Sequence, residues 1–181
     1  MNYLRIDYED VCNGEGIRVT LWLSGCSHIC KGCHNSQTWN PIGGSVFDAK
    51  AKLRLFEELT KSYVLGITLT CGDPLYENNL PEVLSLVEEI RSTFPTKNIW
   101  LYTGFTWEEI MFPVLTDDFN PERDLTMTLR KQIIRNADIL VDGRYEENKR
   151  DLTLAFRGSR NQRVIDVQES LKQGKVVLYM E

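Results

Sequence analysis

The stretch SGCSHICKGCHN, residues 24–35, places three cysteine thiols within eight residues, directly after an apolar run. The thiols follow a C-x3-C-x2-C spacing, and they converge on one small group only if the chain wraps around it. Gly25 and Gly32 provide the permissive backbone that such wrapping needs. The spacing alone therefore predicts a metal site, for either an iron–sulfur cluster or zinc.

Composition limits the class of protein. The chain has 181 residues and a formal charge of −5. A chain of this length fits a single domain, residues 1–181, that buries roughly 70% of its unfolded surface. Five cysteines are an odd number, and the start of the chain lacks an apolar signal-peptide core, so we expect free thiols in the cytoplasm. Neither the apolar runs, all short of ~20 residues, nor the negative charge favours a membrane or nucleic-acid partner.

Apolar segments alternate with amphipathic segments along the chain. We predict strands at residues 17–24, 64–70, 98–103, 137–141 and 176–180. We predict helices at residues 48–62, 80–94 and 125–136, a short helix opened by a capping box of Thr106 and Glu109, and a last helix that ends at Gly174. Residues 112–123 contain two prolines and several acids, which indicates a surface insertion.

This alternation predicts parallel strands joined by right-handed crossovers, with sites at the carboxyl ends of the strands. The cysteine loop and residues 71–73, 103–104 and 142–144 each follow a predicted strand, so one sheet would bring them to one edge. The chain is too short for a closed barrel of ~250 residues. We therefore expect an α/β fold, a partial (β/α) barrel of about five or six mostly parallel strands, TIM-like and not closed. An open doubly wound sheet is the alternative.

The number of thiols in the loop has a chemical consequence. A 4Fe–4S cluster is commonly held by four thiolates, so Cys26, Cys30 and Cys33 would leave one iron without a protein ligand. A catalyst needs such an open position, whereas an electron carrier does not. The alternative is a zinc site of three cysteines completed by His28 or His34.

A simple electron-transfer module is a second non-enzymatic alternative. It would need Cys12 or Cys71 as a fourth ligand, and neither has a Cys-x2-Cys partner. We expect Cys12 to be a plain, unliganded residue and His28 to be a polar residue of the surface. A basic strip of Arg157, Arg160 and Arg163 is either solvated or a docking surface for an acidic partner.

Seven segments, spread over nearly the whole chain, carry a resemblance. They are NGEGIR at 13–18, the cysteine loop at 24–35, TLTCGDPL at 68–75, LYTGF at 101–105, VDGRY at 141–145, FRGS at 156–159 and NQR at 161–163. The loop is similar to that of the radical S-adenosylmethionine superfamily. In their order, the segments resemble one of its families more closely, the anaerobic ribonucleoside-triphosphate reductase-activating proteins, which are glycyl-radical-enzyme activases.

The resemblance implies two cofactors, a 4Fe–4S cluster and S-adenosylmethionine. Cys26, Cys30 and Cys33 would be the metal ligands, and the open iron would receive the amino and carboxylate groups of S-adenosylmethionine. An external low-potential donor such as flavodoxin would reduce the cluster, and the 5′-deoxyadenosyl radical released on cleavage would take hydrogen from a glycine of the reductase large subunit. No catalytic residue beyond the cluster ligands is implied, and a homodimer is a further expectation.

The resemblance also implies a set of residues that bind the cofactor. They are Gly32, His34, Cys71, Gly72, Asp73 and Asp142. The segment 71–73 would hold the methionyl amino group through backbone carbonyls and a carboxylate. His34 would contact the adenine, since Gly32 stands where many members carry an aromatic residue. Asp142 would orient the other end of the cofactor.

Three departures from the family pattern accompany the resemblance. Glu15 stands where the family usually has proline, Cys71 stands where it has the first glycine of Gly-Gly-Asp, and residues 112–123 look inserted. The Cys71 difference bears on how closely the backbone approaches the cofactor. The alternative function within the superfamily is an enzyme acting on a small molecule such as a deazapurine precursor.

Overall fold

The computed structural model describes residues 1–113 and 120–180. The strands are β1 (Asn2–Asp10), β2 (Arg18–Leu23), β3 (Ser45–Val46), β4 (Gly66–Cys71), β5 (Asn98–Tyr102), β6 (Ile139–Asp142), β7 (Arg163–Asp166) and β8 (Leu178–Met180). The helices are α1 (Ala49–Leu59), α2 (Leu80–Thr93), α3 (Trp107–Met111), α4 (Pro121–Asn136) and α5 (Val167–Gln173).

All of these strands form one sheet, in the order β3-β1-β2-β4-β5-β6-β7-β8. The four central strands, β2, β4, β5 and β6, pair in parallel, and the strands outside them pair antiparallel. The sheet is open, because β3 and β8 lie at its two edges. The predicted α/β fold with an unclosed sheet is thus confirmed. The prediction of five or six mostly parallel strands is wrong, since the described residues form eight strands and only the four central strands of the sheet are parallel.

The strands that sequence reasoning missed lie outside the parallel centre. β1 carries charged side chains and has no fully buried residue, so its sequence lacks the apolar run of a central strand. β3 has only two residues, both exposed. β7 is bounded by Arg163 and Asp166, and only its two middle residues are buried. Each of these strands pairs antiparallel, which lets one face remain polar.

The helices and the sheet enclose the main core. Residues Ile67, Leu69, Ile99 and Leu101 alternate along β4 and β5 and belong to one buried cluster with side chains of α1, α2 and α4. The residues between them point to the opposite face, as the twofold alternation of strands requires. Trp100 accordingly belongs to a second, smaller cluster on that face.

Local signals at the helix ends are largely confirmed. Thr106 and Glu109 form the predicted capping box at the start of α3. Gly174 ends α5 with a left-handed φ of 67°. The helix predicted from residue 125 instead begins at Pro121, because the side chain of Asn120 accepts a hydrogen bond from the Arg123 backbone at the N-terminus.

The predicted insertion is therefore shorter at its C-terminal end than residues 112–123. Its middle, residues 114–119, lies outside the described residues. Within the described ranges, none of the helices has the length and apolar character that a bilayer crossing requires.

A buried arginine closes the amino end of the parallel strands. The Arg18 side chain is fully buried and donates hydrogen bonds to Thr68 Oγ1 at 2.8 Å, Asn98 Oδ1 at 2.6 Å and the Ile67 carbonyl at 2.7 Å. A further bond reaches the Glu15 carbonyl at 3.1 Å. Burial lowers the pKa of Arg18 to about 10. These bonds join three adjacent strands at the end of the sheet opposite to the cysteine loop.

Candidate metal and cofactor site

A single pocket at the carboxyl ends of the parallel strands collects the cysteine loop and the strand-end segments. Its lining residues are Cys26, His28, Cys30, Cys33, Asn35, Thr70, Cys71, Asp73, Tyr102, Thr103, Gly104, Val141, Gly143, Tyr145 and Gln162. Thr70 and Tyr102 lie on the face of the sheet that the helices leave uncovered. The expectation that strand-end segments meet at one edge is confirmed by this lining.

The cysteine loop wraps back on itself beside the sheet. The amide of Gly25 donates to the Thr38 carbonyl at 2.8 Å, and that of Cys26 donates to the Trp39 carbonyl at 3.2 Å. Gly25 has a φ of 94°, and a Cβ there would lie 2.7 Å from the ring of Tyr76. Glycine is therefore required at this position for two reasons, backbone conformation and space.

The three loop thiols are partly buried and belong to no disulfide. Burial, together with the nearby Asp73 carboxylate, raises the pKa of the Cys26 thiol to about 11. Burial also raises the pKa of the Cys30 thiol. Metal binding at Cys26 and Cys30 must therefore displace the protons of these thiols.

The donor set fits an iron–sulfur cluster with one open iron. The three loop thiols border one pocket, which they share with Cys71 and with polar groups at the strand ends. Among the described residues, no group of three or more His, Cys, Asp or Glu side chains is arranged to hold a metal ion. The site is thus defined by the pocket that its thiols share and by their chemistry.

His28 and Asp73 form a buried pair that sequence reasoning missed. His28 Nε2 lies 2.8 Å from Asp73 Oδ2, and the two side chains are only 5% and 2% exposed. The ring of His28 also packs against Phe105, with centroids 4.4 Å apart. The prediction that His28 is a polar surface residue is wrong, because this residue ties the cysteine loop to the end of β4. The signal available in the sequence was its position inside the loop.

The remaining bonds of Asp73 explain why this carboxylate is buried. It accepts hydrogen bonds from Thr103 Oγ1 at 2.8 and 2.9 Å, from the Gly104 amide at 3.0 Å and from the Leu75 amide at 2.8 Å. The Asp73 amide in turn donates to the Gly25 carbonyl at 2.7 Å. Asp73 thus joins the loop, its own turn and the turn after β5 into one unit.

Cys71 and Gly72 lie at the end of β4, beside β2. Cys71 is in register with Leu23, and the Gly72 amide donates to the Leu23 carbonyl at 2.9 Å. Cys71 has a φ of 78°, a left-handed conformation that is uncommon for a residue with a side chain. Its thiol borders the pocket, and burial raises its pKa.

Asp142 is buried beside the pocket, and its carboxylate faces protein groups. It is 1% exposed, and it accepts from Arg163 Nε at 3.0 Å and from the Trp107 amide at 2.7 Å. Arg163 also pairs with Glu108 at 2.7 Å. These bonds join β6, β7 and α3. The pocket itself is bordered by the neighbours of Asp142, Val141 and Gly143.

Gly32 and His34, the other two predicted cofactor residues, are exposed and do not border the pocket. A Cβ at Gly32 would lie 2.9 Å from Glu147 Oε1, so this glycine allows a close approach between the loop and a neighbouring turn. Asn35, rather than His34, borders the pocket at this end of the loop.

Two of the three arginines of the predicted basic strip are paired within the protein, and the third, Arg157, donates to the Gln162 carbonyl at 3.3 Å. Arg160 pairs with Asp151 at 2.9 Å, and Arg163 is held by Asp142 and Glu108. Sequence reasoning also missed pocket residues such as Tyr145 and Gln162. Both lie in segments that carry the family resemblance, which was the signal available for them.

Comparison with known proteins defines the class first. The family model described as a 4Fe-4S single cluster domain matches residues 12–165, which include the whole cysteine loop. The protein is therefore an iron–sulfur protein with an open α/β sheet, and the predicted cluster is confirmed over the zinc alternative.

Curated relatives define the family. An anaerobic ribonucleoside-triphosphate reductase-activating protein of Enterobacteria phage T4 is 40% identical, over 91% of this chain and 93% of the relative. Proteins of the same name from Pasteurella multocida and Escherichia coli K12 are 37% and 34% identical, over 90% of this chain and 95% and 96% of theirs. The chain belongs to the family of anaerobic ribonucleoside-triphosphate reductase-activating proteins, which confirms the resemblance.

Proposed function

We propose that this protein is a radical S-adenosylmethionine enzyme that activates an anaerobic ribonucleoside-triphosphate reductase. Cys26, Cys30 and Cys33 hold a 4Fe–4S cluster, and S-adenosylmethionine binds beside it in the same pocket. When bound and reduced by an external donor, the cluster would supply the electron for cleavage of the C–S bond of S-adenosylmethionine, which would allow hydrogen to be taken from a glycine of the reductase. The names of the curated relatives support this function.

The observation that carries the proposal is the grouping of three loop thiols with strand-end polar groups around one pocket. A closed structural site would surround its metal with protein ligands, whereas this site has three loop thiols and space beside them. Cys71 borders the pocket, and its backbone carbonyl would receive the amino group, while Gly72 is buried behind it and bonded to Leu23. The Asp73 carboxylate positions this turn through its bonds to His28, Thr103 and Gly104.

The same geometry supports the exclusion of water from the reacting atoms. A primary alkyl radical must meet only its target hydrogen, so its site has to be enclosed. Val141 and Tyr102 contribute apolar surface to the pocket wall, and the exposed side of the pocket is left for the reductase. We infer that the docked reductase completes the enclosure.

The function is tested by anaerobic reconstitution with iron and sulfide. After reduction, the protein should cleave S-adenosylmethionine to methionine and 5′-deoxyadenosine. Addition of the cognate reductase should then produce a glycyl radical doublet in electron paramagnetic resonance. Cleavage without a glycyl signal would contradict the activase function and favour a small-molecule substrate.

Matched variants test the ligand assignment. Cys26→Ala, Cys30→Ala and Cys33→Ala should each prevent assembly of the four-iron cluster, measured as iron and sulfide per chain. Cys12→Ala is the control, because Cys12 is exposed and does not border the pocket. Loss of the cluster in Cys12→Ala, or its retention in Cys30→Ala, would overturn the assignment.

We also propose a single domain over residues 1–181 and a sheet that curves as a partial barrel. The strands from β1, which begins at Asn2, to β8, which ends at Met180, all belong to one sheet. The helices pack on one face of this sheet, and the pocket lies on the other. This arrangement supports both proposals.

A low-potential donor such as flavodoxin, a cytoplasmic location and a homodimer complete the proposed function. Five free cysteines support a reducing compartment. The exposed Leu178 and Tyr179 on edge strand β8 support association of two copies. Sedimentation of the reconstituted protein tests the dimer, and a single species at the mass of one chain would contradict it.

A further inference from the structure

Four thiols, rather than three, border the candidate pocket. Three belong to the cysteine loop, and the fourth is the thiol of Cys71 at the end of β4. Cys71 and Cys33 therefore border the same pocket from two different segments of the chain. Cys12, the fifth cysteine, does not line this pocket. Cys71 is therefore a member of a thiol cluster and not an isolated cysteine.

The backbone of Cys71 explains how its side chain comes to the pocket. Alternation along β4 would place residue 71 on the helix-covered face, with Ile67 and Leu69. The φ of 78° at Cys71 breaks this alternation. A left-handed conformation disfavours any residue with a Cβ. This chain nevertheless keeps a thiol there, facing the pocket.

A second polar group at the same wall has no partner. The Tyr102 hydroxyl is buried without a hydrogen-bond partner among the described residues, and Tyr102 borders the pocket beside Cys71. A buried hydroxyl without a partner is unfavourable unless a ligand or water satisfies it. A thiolate sulfur is an acceptor for such a donor. The pocket wall at Tyr102 therefore holds a hydrogen-bond donor that a group bound in the pocket can satisfy.

We propose that Cys71 supplies a fourth thiolate to the iron that the three-cysteine loop leaves without a protein ligand, and that S-adenosylmethionine displaces it. This proposal rests on the proposed function, since it concerns the open iron of that cluster. The Cys71 thiol releases a proton to solvent as its sulfur binds iron. When the amino and carboxylate groups of S-adenosylmethionine bind this iron, the iron–sulfur bond to Cys71 breaks and the thiolate regains a proton. No electron is gained or lost in either step.

The consequence is protection of the cluster before the cofactor arrives. An iron without a protein thiolate is the one most readily lost on oxidation, which leaves a three-iron cluster. Cys71 would retain that iron in the cofactor-free protein. Bound S-adenosylmethionine would provide the same protection by occupying the same position.

The test compares the reconstituted wild-type protein with Cys71→Gly and Cys71→Ala under limited oxidation by ferricyanide. The readouts are iron per chain and the 3Fe–4S signal in electron paramagnetic resonance. We expect both variants to lose the fourth iron at least about tenfold faster than the wild type, because removal of a residue that only supports a metal ligand already weakens metal binding by about this factor. Saturating S-adenosylmethionine should bring the variants back to the wild-type rate.

Two controls keep the outcome interpretable. Cys12→Ala should match the wild type, and the metal-free Cys71→Gly variant should unfold at a midpoint no lower than the wild type, because glycine accepts the left-handed backbone. Equal rates of iron loss in wild type and both Cys71 variants would overturn the proposal while leaving the activase function intact. Absence of a four-iron cluster, or of S-adenosylmethionine cleavage, in the wild type would instead refute the proposed function.

Discussion

The two ends of the parallel strands differ in how far their polar groups are bonded within the protein. At the amino end, Arg18 is fully buried and its guanidinium bonds reach neighbouring strands. At the carboxyl end, four thiols are partly buried around a pocket, and Cys71 holds a left-handed backbone conformation. One end satisfies its polar groups within the protein. The other leaves reactive groups available to a ligand.

This difference indicates that the amino end contributes mainly to stability and that the carboxyl end provides the functional site. A fully bonded buried cation contributes to stability only while every partner stays in place. A ligand site needs groups that the protein leaves incompletely satisfied. Asp73 differs from its surroundings at the carboxyl end, because its carboxylate accepts several hydrogen bonds within the protein.

The largest effect is expected at the amino end. Arg18→Met keeps much of the side-chain volume but leaves the Ile67 carbonyl and Asn98 Oδ1 without their donor. Several buried acceptors lose partners, so we expect a loss of about 4 kcal/mol in the free energy of unfolding. Urea denaturation measures it. The iron bound per folded chain should be unchanged, and a loss below about 1 kcal/mol would contradict the structural role of Arg18.

Asp73→Asn tests the bonded centre of the carboxyl end. An amide NH2 cannot accept from the Gly104 amide and Leu75 amide as both carboxylate oxygens do. We expect a loss of about 2–3 kcal/mol in unfolding free energy and weaker retention of the cluster. Asp48→Asn is the matched control, since Asp48 caps α1 and asparagine caps a helix equally well. Equal free energies of unfolding for the two variants would contradict the role of Asp73 in joining the cysteine loop to the two turns.

His28→Phe separates the hydrogen bond from ring packing. Phenylalanine keeps the contact with Phe105 but loses the bond to Asp73 Oδ2. We expect a loss of about 1–2 kcal/mol and faster release of iron to a chelator. His28→Gln, which retains a donor, should restore part of the iron retention. If Phe and Gln release iron at the same rate, the bond does not position the loop.

Cys12→Ala should have the smallest effect. The Cys12 side chain is exposed, and the bond from residue 12 to Asp10 uses the backbone amide. A surface substitution of this kind changes stability by about 0.5 kcal/mol or less. Thermal unfolding and iron content should both match the wild type. A measurable loss of iron would show that Cys12 belongs to the metal site. It would also contradict the difference between Cys12 and Cys71 in their effect on iron retention.

Much of the fold was predictable where the local signal was strong. The four central strands are apolar enough to be recognised from their residues, and their parallel order follows from the helices between them. The outer strands β1 and β7 were missed because their sequences are charged and one-sided. Each pairs antiparallel with the strand next to it along the chain, β1 with β2 and β7 with β6, so one face of each can stay polar and the apolar signal of a central strand is missing.

The candidate site was predictable in its ligand types and less so in its contacts. The three-thiol loop and the strand-end positions follow from spacing. The roles of buried polar groups do not, because Asp142 and His28 are each held by residues distant in sequence, Arg163 and Asp73. A pattern of residue types contains no information about which carboxylate faces which cation.

The sequence by itself determined the thiol spacing, the alternation of strands and helices and the family. These follow from local chemistry, namely apolar periodicity and the distance along the chain between cysteines. Only the tertiary structure decided that Asp73 joins the loop to two turns and that Asp142 pairs with Arg163. It also decided that Cys71 turns toward the pocket, because a single left-handed φ reverses the direction that strand alternation assigns to its side chain.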